Sequence, residues 1–372
     1  MNGNNWQHRS VTLAFCGFIG VFAALYWLLP RQDFSEKEKR VLSALPKLTV
    51  ASVLDGSTES AVEDWMSDHV PGRETLVGLN AWYEVASGRN GLNGVIWDGE
   101  DRLTAGPAAL DETDVQAKCR RINALAQKLG KPVTLLLIPE SGYMRQSSLP
   151  RLHAAYHDEE AVRLVSETLD GVDFIWPEQR FRALDADALY YRTDHHFTSR
   201  GAYEACALYV QSLGMALPER DAYDVEVVEG FRGSQYAKSG LWYVPAEAVE
   251  LWRGTADDHV VVEFDDRAPS NSMFFPEHLA AMDKYPVFLD GNHACVTITT
   301  GRTGENLLIV RDSFGHCFAP FAAECFEKIV LVDLRYYHRR LGQLVDDEEI
   351  DRVLVLYGMD SFMTDSNFGW MK

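Results

Sequence analysis

The sequence lacks the signatures of several large protein classes. Its six cysteines form no CxxC pair and no Cys/His cluster, which argues against a structural zinc site. It shows no internal repeat and no low-complexity tract, so extensive disorder is not expected. Basic residues are few: 35 Lys and Arg stand against 55 Asp and Glu, which gives a net charge of −20. A surface this acidic repels phosphates, so no nucleic acid partner is expected.

A disulfide framework is not expected either. Cys16 lies inside a hydrophobic run near the N-terminus, which leaves five cysteines, an odd number. We therefore expect free thiols, buried in the fold.

One long hydrophobic run is present. Val11–Leu29 contains no charge and is long enough to cross a bilayer as a helix. The run is too long for a signal-peptide core, and Pro30-Arg31-Gln32-Asp33 follows it in place of a cleavage site with small residues. We predict an uncleaved signal anchor, which would make the chain a single-pass protein of the cell membrane. The alternative is a buried core helix.

The charges that flank this run bear on its orientation. Arg9 precedes it, whereas Arg31, Lys37, Lys39 and Arg40 follow it. The positive-inside rule therefore mildly favours a cytoplasmic location for the rest of the chain. The function inferred below requires the opposite orientation, so we predict an extracytoplasmic catalytic domain on functional grounds.

Most of the chain alternates between helix and strand patterns. After a helical segment interrupted at Pro71-Gly72-Arg73, the predicted helices are 111–129, 158–169, 199–213, 315–325 and 346–351, and the predicted strands are 94–97, 133–138, 172–176, 307–310, 328–332 and 353–356. This alternation predicts an α/β fold with a doubly wound, mostly parallel sheet that is covered on both faces. The functional site is then expected at the carboxyl ends of the strands.

The predicted organisation has four parts. They are a short tail (residues 1–10), the transmembrane signal anchor (11–29), a charged juxtamembrane linker (30–56) and the α/β domain (57–372). Within that domain, approximately residues 215–300 depart from the pattern, because valines alternate with acids and Trp, Tyr, Gly and Pro are frequent. We predict an inserted β-rich lobe here, placed to wall a substrate cleft.

An acid and an imidazole lie two residues apart just before the helix that begins near residue 199. In an extended or turn backbone, residues i and i+2 point the same way, so Asp194 can accept a hydrogen bond from one ring nitrogen of His196. The other ring nitrogen is then available as a base. His195, between them, is expected to support the turn. A base that is oriented by an acid lacks only a nucleophile to complete a triad.

Ser313 is the candidate nucleophile. It follows the apolar run Leu307–Val310, which is typical of a buried parallel strand, and it precedes a helical pattern. A serine at such a strand-to-helix turn exposes its oxygen at the sheet edge, where the first amides of the helix can stabilise an oxyanion. Its neighbours Arg311 and Asp312 are expected to support the turn.

Other readings of these residues remain open. Asp194 can cap the backbone while His196 is a polar surface residue, and Ser313 with Asp312 can simply cap the following helix. A metal site built from Asp194, His195 and His196 is a further alternative, although adjacent histidines rarely converge on one ion. The triad is preferred because the loop and the serine turn supply each other's missing partner. No metal and no cofactor are therefore expected.

Together these motifs resemble the DHHW proteins, relatives of the SGNH-hydrolase-like enzymes that O-acetylate alginate and other bacterial exopolysaccharides. The features that carry the resemblance run over nearly the whole chain: the N-terminal anchor, Phe34-Ser35-Glu36, Pro71-Gly72-Arg73, Thr193-Asp194-His195-His196-Phe197-Thr198 with Gly201-Ala202-Tyr203, Asp312-Ser313-Phe314, and Val332-Asp333-Leu334-Arg335-Tyr336-Tyr337. Two positions depart from the family pattern. Phe197 stands where the family name expects Trp, and Arg311 stands where related enzymes often have Gly or Lys.

The resemblance implies an SGNH-hydrolase-like fold and an O-acetyltransferase or esterase that works through an acyl-enzyme. It assigns Ser313 as nucleophile, His196 as general base and Asp194 as the residue that orients the base. The Gly and Asn oxyanion donors of the SGNH group have no clear counterpart, so the amide of Ser313 is the donor we propose. The implied partners are a polysaccharide or glycan acceptor and a multi-pass membrane protein that delivers the acyl group.

Two residues past the last motif strand are candidates for substrate binding. Arg335 and Tyr336 end a strand near the same sheet edge, where they can contact a sugar or a carboxylate; structural packing is the alternative. Three functions therefore stay open: transfer to a surface glycan, carbohydrate ester hydrolysis, and a non-catalytic envelope protein that binds glycan or holds a synthesis complex together.

Overall fold

The computed structural model describes the backbone of residues 3–371 and the side chains of residues 8–371. The chain forms two compact units, one ending at Ser87 and the other beginning at Gly88. The division between them lies later in the chain than the domain start expected at residue 57. All the residues that the sequence nominates for chemistry lie in the second unit.

The first unit is mostly helical. Its elements are α1 (Gly3–Leu28), β1 (Phe34–Ser35), β2 (Arg40–Val41), α2 (Val50–Leu54), α3 (Ser57–Asp68) and α4 (Arg73–Ala86), with β1 and β2 paired antiparallel. The segment His8–Leu28 of α1 is long and apolar enough to cross a membrane, and none of it is buried within the protein. The predicted apolar N-terminal helix is confirmed.

Charged pairs tie the helices of this first unit to the segment that follows α1. Gly72 adopts φ 71° between α3 and α4, a backbone conformation that glycine tolerates without strain, so the helix breaks where Pro71-Gly72-Arg73 predicts. Arg73 Nε donates to the carboxylate of Glu38 at 3.0 Å, and Arg40 Nη1 donates to Asp68 at 2.8 Å. The motifs Phe34-Ser35-Glu36 and Pro71-Gly72-Arg73, which carry part of the family resemblance, thus both belong to the first unit.

The second unit is built on a seven-stranded sheet. Its strands and those of two hairpins are β3 (Val95–Trp97), β4 (Leu103–Ala105), β5 (Val133–Ile138), β6 (Asp173–Ile175), β7 (Asp224–Phe231), β8 (Glu247–Arg253), β9 (Val261–Phe264), β10 (Cys295–Thr299), β11 (Asn306–Arg311), β12 (Lys328–Val332) and β13 (Arg352–Gly358). The order in the main sheet is β6-β5-β13-β11-β12-β10-β9. The five strands from β6 to β12 are parallel, and β10 and β9 extend the sheet antiparallel. The predicted mostly parallel sheet is confirmed.

Helices cover both faces of this sheet. They are α5 (Glu112–Leu129), α6 (Ser141–Met144), α7 (Asp158–Thr168), α8 (Glu178–Arg182), α9 (Ala186–Leu189), α10 (Ser199–Ser212), α11 (Ser234–Ser239), α12 (Phe314–Ala322), α13 (Leu341–Asp347) and α14 (Met359–Thr364). Asp111 caps the N-terminus of α5 and Gly130 (φ 60°) ends it, as their residue types indicate. Thr198 caps α10 in the same way, by accepting a hydrogen bond from the amide of Gly201.

Alternate residues of the central strands face two separate hydrophobic cores. On β11, Leu307 and Ile309 pack with α10 and α12, whereas Leu308 and Val310 pack on the opposite face with α5 and α7. All four side chains are fully buried. A strand buried on both faces has a continuous run of apolar residues, which is why the sequence indicates β11 clearly.

The segment predicted as an inserted lobe is only partly separate from the sheet. Strands β7 and β8 form a two-stranded hairpin of their own, which accounts for the alternating valines and acids of Asp224–Glu229. In contrast, β9 and β10 lie within the segment but join the main sheet through β12. The β-rich character of the segment is confirmed, and roughly half of its strands extend the core sheet.

Candidate active site

The serine turn is held at the centre of the sheet edge by the residue before it. Strand β11 ends at Arg311, and the buried carboxylate of Asp312 accepts hydrogen bonds from the amides of Phe314 at 2.9 Å and Gly358 at 2.8 Å. Burial raises the pKa of Asp312 to about 6, while these two amide donors oppose the shift. Asp312 therefore joins the turn to the end of the neighbouring strand β13 and leaves Ser313 half-buried.

The acid–imidazole loop forms the second part of the site. An antiparallel bridge between Tyr190 and Phe197 closes a tight turn. Inside this turn the carboxylate of Asp194 accepts from the amide of His196 at 2.9 Å and contacts its ring nitrogen Nδ1 at 2.5 Å. The amide of Ser234 donates to the other oxygen of Asp194 at 2.6 Å. Both carboxylate oxygens of Asp194 thus accept hydrogen bonds, and these bonds fix the orientation of its side chain from two sides.

The two parts meet through a short hydrogen bond. His196 Nε2 lies 2.6 Å from Ser313 Oγ, although the residues are 117 positions apart in the chain. Because Nδ1 faces the carboxylate of Asp194, the neutral ring carries its proton there and Nε2 accepts from the serine hydroxyl. Asp194 and His196 are buried at 2% and 5% exposure, so water competes little for these bonds.

The buried carboxylate of Glu247 holds the loop that contains Asp194 and His196. The carboxylate of Glu247 accepts from the amides of Arg192 at 2.7 Å and Thr193 at 2.6 Å and from the Thr193 hydroxyl at 2.5 Å. Burial raises the pKa of Glu247, and these donors oppose the shift. The hairpin strand β8, which begins at Glu247, therefore helps to fix the approach to the base.

His195 lies beside His196 in the loop. Its Nδ1 is 2.7 Å from Ser234 Oγ, and its ring centroid lies 3.8 Å from that of His196. Ser234 thus contacts both Asp194 and His195 at the start of α11. The supporting role expected of His195 stays a prediction.

Tyr285 is a site residue that the sequence did not indicate. Its ring lies parallel to that of His196 with centroids 3.8 Å apart and an interplanar angle of 5°. Its hydroxyl donates to the backbone carbonyl of Ser313 at 3.0 Å. Burial raises the pKa of this phenol well above its usual value, so the hydroxyl stays protonated. Tyr285 lies in an irregular segment, and no motif there marks it.

Arg311 lies beneath the serine turn and is fully buried. Its Nη1 donates to His316 Nε2 at 2.6 Å and to Asp333 at 3.3 Å. Burial and the nearby guanidinium hold the pKa of His316 well below its ordinary value, so the imidazole is neutral and can accept this hydrogen bond. Gly315 makes room for the arginine, since a Cβ there would lie 2.8 Å from its side chain.

The two candidate substrate-binding residues lie beyond this buried arginine. Arg335 is occupied by Asp333, with Nε at 2.9 Å and Nη2 at 2.6 Å from the carboxylate. The Arg335 guanidinium also lies 5.4 Å from the ring centroid of Tyr336, which is half-exposed and lines a cavity with residues such as Cys295 and Arg339. Neither Ser313 nor His196 lines that cavity.

The first three amides of α12 already donate hydrogen bonds within the turn. The amide of Phe314 donates to the Asp312 carboxylate, that of Gly315 to the Asp312 carbonyl at 3.2 Å, and that of His316 to the Ser313 carbonyl at 3.3 Å. The amide of Ser313 is the remaining candidate of this turn to donate to an oxyanion.

The metal reading of the loop has a geometric basis as well. Ligand atoms of Asp194, His195 and His196 lie within 4.8 Å of one another, as do those of Asp265, Asp266 and His293 elsewhere. In the first group, however, Asp194 and His196 contact each other and the second ring nitrogen of His196 faces Ser313. These contacts suit proton transfer better than shared coordination.

Comparison with known proteins agrees with this architecture. The family model described as "DHHW protein" matches residues 169–332, a range that contains Asp194, His196 and Ser313. No curated protein is significantly similar to the chain in sequence.

Solved structures share the fold. A DHHW family protein from Eubacterium siraeum superposes with a TM-score of 0.66 at 23% identity, covering 75% of this chain and 95% of the other. Bacillus cereus PatB1 superposes with a TM-score of 0.62 at 18% identity, both with a sulfonyl adduct (74% of this chain and 96% of the other) and without it (75% and 98%). The predicted α/β fold with a mostly parallel sheet is confirmed. The family model and these structures show that this chain is similar to DHHW proteins over the range that contains the candidate site.

Proposed function

We propose that this chain is a membrane-anchored, extracytoplasmic serine O-acyltransferase that acetylates a cell-surface or secreted polysaccharide. The observation that carries the proposal is the continuous hydrogen-bonded series from Asp194 through His196 to Ser313. The resemblance to exopolysaccharide O-acetyltransferases supports the choice of acceptor. The apolar helix α1 supports the anchorage.

The reaction follows from this geometry in two stages. Ser313 Oγ attacks the carbonyl carbon of an acyl donor while His196 Nε2 takes the hydroxyl proton, and the imidazolium is stabilised by the Asp194 carboxylate. The tetrahedral intermediate expels the donor's leaving group, which takes the proton from His196, and an ester on Ser313 remains. A sugar hydroxyl then attacks this ester, giving its proton to His196, and the serine leaves with that proton.

Water in place of the sugar hydroxyl would make the same site a carbohydrate esterase. A site without either reaction would leave a glycan-binding or scaffold protein. These outcomes separate in one experiment, in which the full chain in detergent is mixed with a chromogenic acetyl ester, with and without a soluble oligosaccharide. A burst of released chromophore indicates the acyl-enzyme, acetylated oligosaccharide indicates transfer, and acetate alone indicates hydrolysis.

Variants make the test specific. Ser313→Ala and His196→Ala should both abolish the burst, whereas Ser212→Ala, at an exposed serine on α10, should not. A sulfonyl fluoride should add a sulfonyl group to the chain with loss of fluoride, and the modification should map to Ser313. Equal release from the wild type and Ser313→Ala would contradict the proposal, and loss of activity on chelation would favour the metal reading.

The proposed topology has its own test. A reporter that is active only outside the cytoplasm, fused after residue 372, should be active. Activity of a cytoplasmic reporter at the same position would place the site on the wrong side for a surface polysaccharide.

A further inference from the structure

A second carboxyl group lies at the same sheet edge as the serine turn, and the proposed chemistry does not use it. Strand β5 ends at Ile138, and Glu140 follows two residues later; on the neighbouring strand, Gly358 pairs with Ile138 and Asp360 follows two residues later. Strand β13 in turn pairs with β11, the strand that carries the nucleophile. Glu140 and Asp360 therefore extend from adjacent strand ends, close to the turn that holds Ser313.

The carboxyl group of Glu140 is buried with few partners. The residue is 7% exposed, and neither side-chain oxygen makes a hydrogen bond of good geometry among the described residues, although the backbone amide of Ala108 lies near enough to lower the pKa of the group. Its backbone is well held, since the amide donates to Asp158 at 3.0 Å and the carbonyl accepts from Met144 at 3.0 Å. Burying a poorly paired carboxyl group opposes folding, so a fold that keeps one there calls for an explanation other than stability.

Glu140 is one of the residues that line a small notch beside Ser313 and His196. Asp360, His195 and Phe314 form its walls, together with Ala105, Ile138, Pro139, Ser141 and Gly142. The volume open to the centre of a water-sized group is about 10 Å³, which suits one hydroxyl or one water. A Cβ on Gly142 would lie 1.8 Å from the Tyr156 hydroxyl, so the wall on that side is closely packed.

Two walls of the notch are also parts of the reacting centre. Phe314 follows the nucleophile directly, and its ring lies 5.3 Å from the ring of His196. The ring centroid of His195 lies 3.8 Å from that of His196. A sugar hydroxyl bound in the notch would therefore lie next to a second hydroxyl of the same sugar, one that reaches His196.

We propose that Glu140 and Asp360 form an acceptor subsite, which binds a hydroxyl of a neutral sugar next to the hydroxyl that is acylated. This inference rests on the proposed acyltransferase function and names the chemical class of its acceptor. A sugar hydroxyl donates one hydrogen bond and accepts others, so it is a suitable partner for carboxyl groups that border a space of this size. The methyl of an acyl group would leave the oxygens of those groups unpaired, which makes the notch unsuitable for the donor.

The charge state of Glu140 agrees with a neutral ligand. Burial raises the pKa of Glu140 well above its ordinary value, and the nearby carboxylates of Asp360 and Asp158 raise it further. A protonated carboxyl group offers both a donor and an acceptor to a hydroxyl. An ammonium group of an amino sugar would instead require the ionised carboxylate.

Binding measurements test the subsite without relying on the chemistry. The parent protein is the full chain with Ser313→Ala, held in detergent. Cellopentaose, a neutral oligosaccharide, is titrated into it in a calorimeter, and the titration is repeated with the double variant Ser313→Ala/Glu140→Met. We expect binding to weaken about tenfold with Glu140→Met and less with Glu140→Gln, which keeps a donor and an acceptor. Glu167→Met, at an exposed glutamate of α7, is the matched control and should leave the affinity unchanged.

Thermal unfolding excludes a merely structural role. Because Glu140 is buried and poorly paired, Glu140→Gln and Glu140→Met should unfold at the same temperature as the parent or higher. Equal affinity with and without Glu140→Met, no binding of cellopentaose by the parent, or a lower unfolding temperature in both variants would overturn the proposal. The ester burst of the wild type is measured alongside: its absence removes the acyltransferase, whereas the titrations decide the subsite.

Discussion

The ring of Tyr285 lies face to face with the imidazole of His196, 3.8 Å away and within 5° of parallel. The Tyr285 hydroxyl also donates a hydrogen bond to the carbonyl of Ser313 at 3.0 Å, so one side chain contacts both His196 and Ser313. In the proposed reaction His196 becomes an imidazolium each time it takes a proton. The face of an aromatic ring attracts such a cation, and burial strengthens the attraction.

Tyr285→Leu should therefore slow acylation of Ser313 by about tenfold, because it removes the ring face that stabilises the charged base. Tyr285→Phe keeps the ring and removes only the hydrogen bond to the Ser313 carbonyl, so its loss should be smaller. Single-turnover rates with a chromogenic acetyl ester measure both. Equal rates for the two variants would show that the ring face plays no part.

Asp194→Asn should lower the acylation rate by about 10³-fold or more, because an amide in this position can donate to His196 and favours the wrong tautomer of the ring. The backbone amides of Ser234 and His196 and the ring nitrogen Nδ1 of His196 lie against the carboxylate oxygens of Asp194. Asparagine has the same shape as aspartate, so the geometry should survive while the ring proton moves. The same ester assay measures the effect, with Asp221→Asn at an exposed position as the control. A loss of less than tenfold would argue that Asp194 does not orient the base.

Gly233→Ala should damage both folding and activity. A Cβ at this position would lie 2.2 Å from Asp194 Cβ and 2.4 Å from its Oδ2, closer than atoms pack. We expect a loss of about 1–3 kcal/mol in the free energy of unfolding, together with a slower ester burst as the carboxylate shifts. Gly369→Ala is the control, since a Cβ there meets nothing within 4 Å. A fully active Gly233→Ala protein would mean that the loop around Asp194 can relax without cost to the base.

The buried acid Asp158 should make stability fall as the pH rises. Burial raises the pKa of its carboxyl group to about 7 in the folded protein, and the charge of Asp360 adds to the shift. In the unfolded chain the pKa is about 4, so the folded protein binds the extra proton between these values. The stabilisation from that proton is complete below about pH 4 and is lost as the pH rises through about 7.

Asp158→Asn should reduce this dependence, by about 2 kcal/mol between pH 5 and pH 8, because asparagine can still accept from the Glu140 amide but does not ionise. Unfolding by denaturant at a series of pH values provides the measurement, and Asp173→Asn, at an exposed position, should follow the wild type. Parallel curves for the wild type and Asp158→Asn would contradict the prediction.

The elements with strong periodicity were predictable from sequence alone. Strand β5 and strand β12 have the expected bounds, and α5 begins and ends at its capping residues Asp111 and Gly130. The exception is α13, which was expected near 346–351 but runs from Leu341 to Asp347. Leu341 and Val345 bury one face of that helix, and Glu349 has φ 53°, so tertiary packing and a left-handed turn end the helix where the local pattern suggests that it continues.

The residues of the candidate site likewise include some that the sequence indicated and others that it did not. The proximity of Asp194, His196 and Ser313 was predictable, because each lies at a motif with a chemical reason, a two-residue spacing or a strand-to-helix turn. Tyr285 and Glu140 were not, because their roles depend on what approaches them in space. Tyr285 lies in an irregular segment between β9 and β10, and Glu140 differs from any surface glutamate only in being buried.

The position of β11 in the sheet has a mechanical consequence. This strand has hydrogen-bonded neighbours on both sides and a hydrophobic core on each face, so the serine at its end can move far only when the whole sheet opens. His196 lies instead in a short turn, which the bridge between Tyr190 and Phe197 closes. Warming should therefore loosen the loop around His196 first, and any activity that needs both residues would be lost while Ser313 is still in place.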